Sequence, residues 1–322
     1  MAHIAIVGCG FIGASWAMVF ARAGFDVVLY DQARGSMDAA IALVRQHDGN
    51  AAKLVRAARS LEEAVTGARY VQENCPEDLK IKRPLYVQMG EYTSDDTILA
   101  SSTSGFPASA LVSDPSISHR CIVAHPINPP HLIPLVEIVP SPRTHSAIVT
   151  ATQRLMLRTG QVPILLQREI DGFVANRLQS AILAEAFKLV EDGVASVEDI
   201  DLALTEGLAP RWFFIGPFET IDLNAQGGIT DYCRKLGPMY YRLAQQQAEA
   251  RTWSRDLVAD VEAQRRTKIR SDELEQRRQW RDRCLARMIA AKREIFELES
   301  YNVPRSADEA KVRPTTFKAG DT

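Results

Sequence analysis

Short apolar runs recur through the first half of the chain, each followed by a stretch whose apolar residues repeat at helical spacing. Residues 4–7 form the first run. It stops at Gly8-Cys9-Gly10-Phe11-Ile12-Gly13, after which Trp16, Val19 and Phe20 follow at helical spacing until Gly24. Runs at 26–30, 70–72, 97–100, 121–124 and 135–139 continue the series. Apolar runs without alternation predict strands buried on both faces. Such strands separated by helices predict an α/β fold, a doubly wound and mostly parallel sheet.

The period changes near residue 170. From Asp171 onward it is helical, with Val174, Leu178, Ile182 and Leu189 on one face. Ser196-Val197-Glu198-Asp199 predicts a capped helix start, and Gly207 its stop. Residues 251–299 are long, charged and mostly free of Pro and Gly, which predicts helix with Trp280, Cys284, Met288 and Ile295 turned inward. After Tyr301 come Pro304, Pro314 and few large apolar residues, the pattern of a tail. The expected organisation is a sheet domain over 1–170, an all-helical domain over 171–300 and a tail over 301–322.

Composition adds bounds. A chain of 322 residues is the length of two domains. Lys+Arg 38 against Asp+Glu 40 leaves a net charge of −2, which points to neither nucleic acid nor an anionic membrane. Residues 262–294 hold eleven basic and six acidic residues, but the signs are interleaved and no recognition motif accompanies them. A solvated helix face is the better reading. No run of about 18 apolar residues predicts a membrane span, and the strand pattern at the start is not that of a leader. The five cysteines are scattered without a CxxC pair. A reducing cytoplasm is therefore expected, without a thiol–metal site. His125 and His131 lack the spacing of a zinc helix, so no metal is expected.

The glycine motif changes the picture most. It follows a strand and opens a helix, the context a dinucleotide site requires. Gly8 permits the tight turn, Gly10 the approach of backbone to pyrophosphate, and Gly13 the close packing of helix on strand. Phe11 and Ile12 belong to the same turn. The helix start offers free N–H groups to phosphates. Asp31 ends the second strand 18 residues after Gly13. There a carboxylate accepts from a ribose diol and repels a 2′-phosphate, which favours NAD over NADP. The first domain thus reads as Rossmann-type, although FAD uses the same fingerprint.

Polar residues at the carboxyl ends of later strands supply candidate chemistry. Ser101-Ser102-Thr103-Ser104 follows the run at 97–100, and His125 follows that at 121–124. Glu137 lies inside the run at 135–139. A carboxylate in a buried strand needs a partner, and His125 is the natural one if the two strands are neighbours. The carboxylate would then fix the imidazole tautomer. The alternative is an edge strand with Glu137 facing water.

Together these residues carry a resemblance. The glycine motif, Ser102-Thr103-Ser104, His125-Pro126-Ile127-Asn128-Pro129, Glu137 twelve residues after His125, and Asp171-Gly172-Phe173-Val174-Ala175-Asn176-Arg177 resemble the 3-hydroxyacyl-CoA dehydrogenase family. Gly207-Leu208-Ala209-Pro210-Arg211-Trp212, Gly216-Pro217-Phe218-Glu219-Thr220, Leu223-Asn224-Ala225 and residues 277–285 are similar to its lambda-crystallin, or L-gulonate 3-dehydrogenase, branch. The resemblance spans roughly residues 3–295. It implies NAD-dependent oxidation of the 3-hydroxyl of a hydroxy acid. By it, His125 takes the hydroxyl proton, Glu137 supports His125, and Ser104 and Asn176 hold the hydroxyl or carbonyl. Glu77 and Lys82 fall at positions near the cofactor. It also implies a homodimer through the helical half, where Phe213, Phe214 and Phe218 add to the apolar faces.

One departure bears on the substrate. The family often carries an extended helical arm after the second strand that helps to hold coenzyme A. Here the stretch 32–68 is shorter, which favours a small free acid over a CoA ester. Arg211 is the candidate for the substrate carboxylate, because its planar fork matches two oxygens. A salt bridge to a partner subunit is the other reading of Arg211. A 3-hydroxyacyl-CoA dehydrogenase, a carnitine dehydrogenase-like enzyme and a non-catalytic crystallin-like protein remain as alternatives.

Overall fold

The computed structural model describes residues 3–112 and 114–298. Eight strands make one sheet: β1 (His3–Val7), β2 (Val27–Tyr30), β3 (Val55–Ala57), β4 (Ala68–Glu73), β5 (Ile98–Ser101), β6 (Cys121–Pro126), β7 (Leu135–Pro140) and β8 (Val162–Leu165). Their spatial order is β3-β2-β1-β4-β5-β6-β7-β8. Neighbours are parallel throughout except β6 and β7, which are antiparallel. The chain steps from β1 out to β3, then crosses to β4 on the far side of β1. That reversal makes the β1/β4 junction the switch point at which such sheets bind ligands.

The six expected strands are β1, β2, β4, β5, β6 and β7. Two more were not legible. β3 has three residues, and β8 is an edge strand interrupted by Pro163, which an edge position tolerates. The reversal of β7 follows from chain length: residues 127–134 are too few for the crossover that parallel neighbours need.

Both sheet faces are covered. In β1, Ile4 and Ile6 pack in one layer with Trp16, Met18 and Phe20, while Ala5 and Val7 pack in the other with Val65, Tyr86 and Met89. Each such side chain fully withdrawn from water stabilises the fold by roughly 1.5–3 kcal/mol. The stretch 32–68 holds the helix Arg34–His47, which packs Met37, Ala40 and Val44 inward, then β3 and the short helix Leu61–Val65.

The described residues divide into two compact units, with the break between Asn176 and Arg177. The second contains the helices Gly228–Gln247, Arg255–Arg266 and Leu274–Leu298 among shorter ones. Three expectations need correction there. Trp280, Met288 and Ile295 are exposed rather than turned inward, because no described residue covers that face of Leu274–Leu298. Gly207 does not stop the helix begun at Ser196. The chain passes through a π-helical turn, Ala203–Leu208, into the helical turn Ala209–Trp212. The charged stretch is two helices rather than one. The expected tail, 301–322, lies outside the described residues, as does the end of the domain expected to reach 300.

Candidate active site

The glycine turn joins β1 to the helix Phe11–Arg22. Gly8 has φ +86°, and a Cβ there would lie 2.7 Å from the Asn74 carbonyl carbon. A Cβ on Gly13 would lie 2.0 Å from the Gly8 oxygen, so the helix sits on the turn as closely as glycine allows. At Gly10, by contrast, no protein atom lies within 4 Å of a Cβ, and that open side admits a ligand. The helix has no side-chain cap and no acidic residue in its first turn, which leaves its N–H groups and positive end for an anion. Phe11 is exposed and edge-packed on His131, and Ile12 is half-buried.

Asp31 meets this turn directly. One carboxylate oxygen accepts from the Cys9 N–H at 2.8 Å and the other from the Ala33 N–H at 2.9 Å. The carboxylate is thus fixed where β2 ends, beside the glycine turn, as a ribose diol requires. The open side of Gly10, the uncapped helix start and the seated Asp31 all fit NAD. Cys9 is no nucleophile: burial, with Asp31 beside it, pushes its thiol up to about 12.

On the other side of the switch point, two loops are bound together. Glu77 Oε1 accepts from Thr103 Oγ1, from the Ser104 N–H at 3.1 Å and from the Gly105 N–H at 3.0 Å. Lys82 is buried, not the surface lysine that its residue type favours. Its ammonium donates to Glu73 and lies 3.6 Å from Glu77 Oε2.

His125 and Glu137 are register partners on β6 and β7, with His125 Nδ1 2.7 Å from Glu137 Oε2. β7 is interior and Glu137 is wholly buried, so the alternative of an edge strand facing water is overturned. An ionised carboxylate only accepts, so Nδ1 carries the proton and donates. Nε2 is left with its lone pair. Glu137 Oε1 accepts from the N–H groups of Val174 at 2.8 Å and Ala175 at 3.0 Å, at the start of the helix Ala175–Glu191. Burial pushes the carboxyl up. The hydrogen bond from His125, those from Ala175 and Val174, and the attraction of the imidazole outweigh it and hold the group below the ordinary carboxylate value.

The motif at 171–176 earns this geometry through its backbone. Gly172 (φ +72°) and Phe173 (φ +51°) are both left-handed, which turns the next two N–H groups onto Glu137. A left-handed non-glycine residue costs about 1–3 kcal/mol. Burial of Phe173 offsets that: its ring is fully covered and packs on His125, centroids 5.5 Å apart. Asn176, one residue into the helix, donates from Nδ2 to the Ser104 carbonyl at 3.1 Å. His125, Glu137, Asn176 and Ser104 are therefore linked by Glu137 and by the loop at 102–105. Arg211 belongs to the second unit, where its guanidinium donates to the Gly207 carbonyl at 3.4 Å.

Sequence reasoning missed Glu73, and it named Ser101 and Phe173 only within longer motifs, without a role for either. Glu73 carried the same signal as Glu137, an acid on a buried apolar run, but at the run's end it resembles the start of a turn. No cluster of metal-ligand residues occurs among the described residues, and no described helix is long and apolar enough to cross a membrane.

Residues 3–170 match the 3-hydroxyacyl-CoA dehydrogenase NAD binding domain, and residues 172–270 the C-terminal domain of the same family. The chain is 41% identical over 309 residues to the Lambda-crystallin homolog of Bos taurus, covering 91% of this chain and 96% of that one. It is 39% identical over 250 residues to an L-carnitine dehydrogenase of Streptomyces griseus, covering 73% and 74%. The solved structure of 5-formyl-3-hydroxy-2-methylpyridine 4-carboxylic acid 5-dehydrogenase, an NAD+ dependent dismutase, is 27% identical and superposes with a TM-score of 0.75, covering 91% of this chain and 99% of that one. With a glycine turn open at Gly10, Asp31 seated beside it and both domains of one family in order, the chain belongs to the 3-hydroxyacyl-CoA dehydrogenase family and uses NAD.

Proposed function

We propose that this dehydrogenase oxidises the 3-hydroxyl of a small free hydroxy acid, as an L-gulonate 3-dehydrogenase does. The observation that carries the chemistry is the 2.7 Å contact of His125 with Glu137. It commits Nδ1 and leaves Nε2 to accept the substrate's hydroxyl proton. As that proton arrives, the imidazolium gains the buried carboxylate as counter-charge. NAD, held by the glycine turn and Asp31, would supply the acceptor for the hydride of the carbinol carbon. Asn176 spends one amide proton on the Ser104 carbonyl and keeps another for the oxygen that becomes the carbonyl. Ser104 is exposed, and its hydroxyl would share that oxygen. Glycine residues 8, 10 and 13, with Phe11, Ile12, Asp31, Glu77 and Lys82, serve the cofactor.

Two features support a free acid. The stretch 32–68 packs its helix against the sheet through Met37, Ala40 and Val44 rather than extending an arm, and Arg211 offers a fork for a carboxylate. The identity to L-carnitine dehydrogenase, 39%, keeps carnitine among the acids to be tried. The experiment is a panel of free 3-hydroxy acids and matched CoA esters read by NADH absorbance. Turnover of free acids with poor use of esters is expected. A CoA ester preferred a hundredfold in kcat/KM contradicts the proposal.

The same proposal makes the protein a homodimer through its helical unit, working in a reducing cytoplasm. All five cysteines are free. Leu178, Phe218 and Leu223 stand 59%, 75% and 68% exposed in the single chain, which supports burial against a second copy.

A further inference from the structure

The structure assigns Glu73, with Ser101, the role of positioning residue for the half of the NAD site that lies across the switch point from Asp31. Glu73 ends β4 and is 0% exposed. A buried carboxylate is tolerated only where charge and hydrogen bonds surround it, and here both oxygens are doubly engaged. Oε1 accepts from Lys82 Nζ at 2.8 Å and from the Cys75 N–H at 2.7 Å. Oε2 accepts from Lys82 Nζ at 3.0 Å and from Ser101 Oγ at 2.6 Å.

Lys82 is 1% exposed and has three protons to give. It donates to both oxygens of Glu73 and to the Cys75 carbonyl at 3.0 Å, and Glu77 Oε2 lies 3.6 Å away as a second counter-charge. Lys82 thus acts as a buried counter-charge between two carboxylates. Glu77 is the member that reaches solvent. Its Oε1 is held by loop 102–105, while its Oε2 sits beyond hydrogen-bond distance of Lys82 and keeps a lone pair for a hydroxyl. Ser101 Oγ also accepts from the Thr103 N–H at 3.1 Å. One buried chain of charge, Glu73–Lys82–Glu77, therefore ties the loop after β4 to the loop after β5, which carries Ser104.

Asp31 marks the adenosine side of the site, at the end of β2. A dinucleotide laid over the glycine turn extends its other half toward the ends of β4 and β5, where Glu77 waits. Glu73 touches no ligand. It holds in place the two loops that do.

The test compares two ligands on one protein. ADP uses only the glycine turn and the Asp31 side, whereas NADH uses both halves. In Glu73→Gln, NADH affinity by calorimetry should fall about tenfold or more, the scale of a lost charge-assisted hydrogen bond. ADP affinity should stay within about twofold of wild type. Ser101→Ala, a milder change, should move NADH in the same direction by a smaller factor and leave ADP alone, and it carries the test if Glu73→Gln does not fold. Equal weakening of both ligands means that Glu73 and Ser101 merely hold the fold together, and it overturns the assignment. Unchanged NADH affinity in the folded variants overturns it as well.

Discussion

At the scale of single residues, two carboxylates set the properties of the sheet domain. Glu137 is held below the ordinary value of 4.5. A depressed carboxyl contributes stability that is present above that value and is lost as pH falls through the lower, folded one. The difference in urea stability between wild type and Glu137→Gln should therefore be largest above about pH 4.5 and shrink on acidification. A difference independent of pH contradicts the ionised, hydrogen-bonded carboxylate described here. Asp31 is the residue proposed to set the choice of cofactor. Its two hydrogen bonds from Cys9 and Ala33 fix it, so Asp31→Ala should narrow the preference for NAD over NADP in kcat/KM. Equal use of both by the wild type contradicts its placement. Glu137 stood out in the sequence because apolar residues flank it on both sides. Glu73 did not, since only a structure reveals that the turn after it folds back over its carboxylate.

At the scale of elements, the glycine turn offers a test of two neighbours with opposite roles. An alanine at Gly13 drives its Cβ into the Gly8 carbonyl oxygen, 2.0 Å away, so the helix must lift off β1. Gly13→Ala should lower stability by about 1–3 kcal/mol or more and weaken NADH with it. An alanine at Gly10 meets open space. Gly10→Ala should keep the wild-type Tm but weaken NADH about tenfold, as ~1.4 kcal/mol of contact is lost. A Gly10→Ala protein that binds NADH normally shows that the open side is not where the cofactor lies. Six strands could be read from apolar runs. β3 and β8 could not, since three residues, or four with a proline, fall below what a run can signal. The antiparallel β7 was readable only as arithmetic on the connection before it. Gly207 misled because a glycine ends a helix only when the chain needs a left-handed turn there, and here a π-helical turn carries it onward.

At the scale of the whole molecule, the two units differ in how much apolar surface each keeps to itself. The sheet unit buries the large majority of the core side chains, whereas the helix Ala175–Glu191 and the helix Leu274–Leu298 have no fully buried residue. The inward face expected at Trp280, Met288 and Ile295 is apolar, as the sequence pattern said, but the described residues of one chain leave it exposed. Periodicity identifies an apolar face without saying what lies against it. The proposed homodimer would bury the surplus. Light scattering at micromolar protein should return twice the chain mass, and a single-chain mass contradicts it.

The central claim is that His125, oriented by Glu137, takes the substrate proton. General-base catalysis contributes typically 10²–10⁴-fold. His125→Ala should lose at least about a hundredfold in kcat with the best hydroxy acid, while NADH affinity stays near wild type because the proposed cofactor site, at Gly10 and Asp31, does not include His125. A His125→Ala enzyme that oxidises the same substrate at near wild-type kcat contradicts the account.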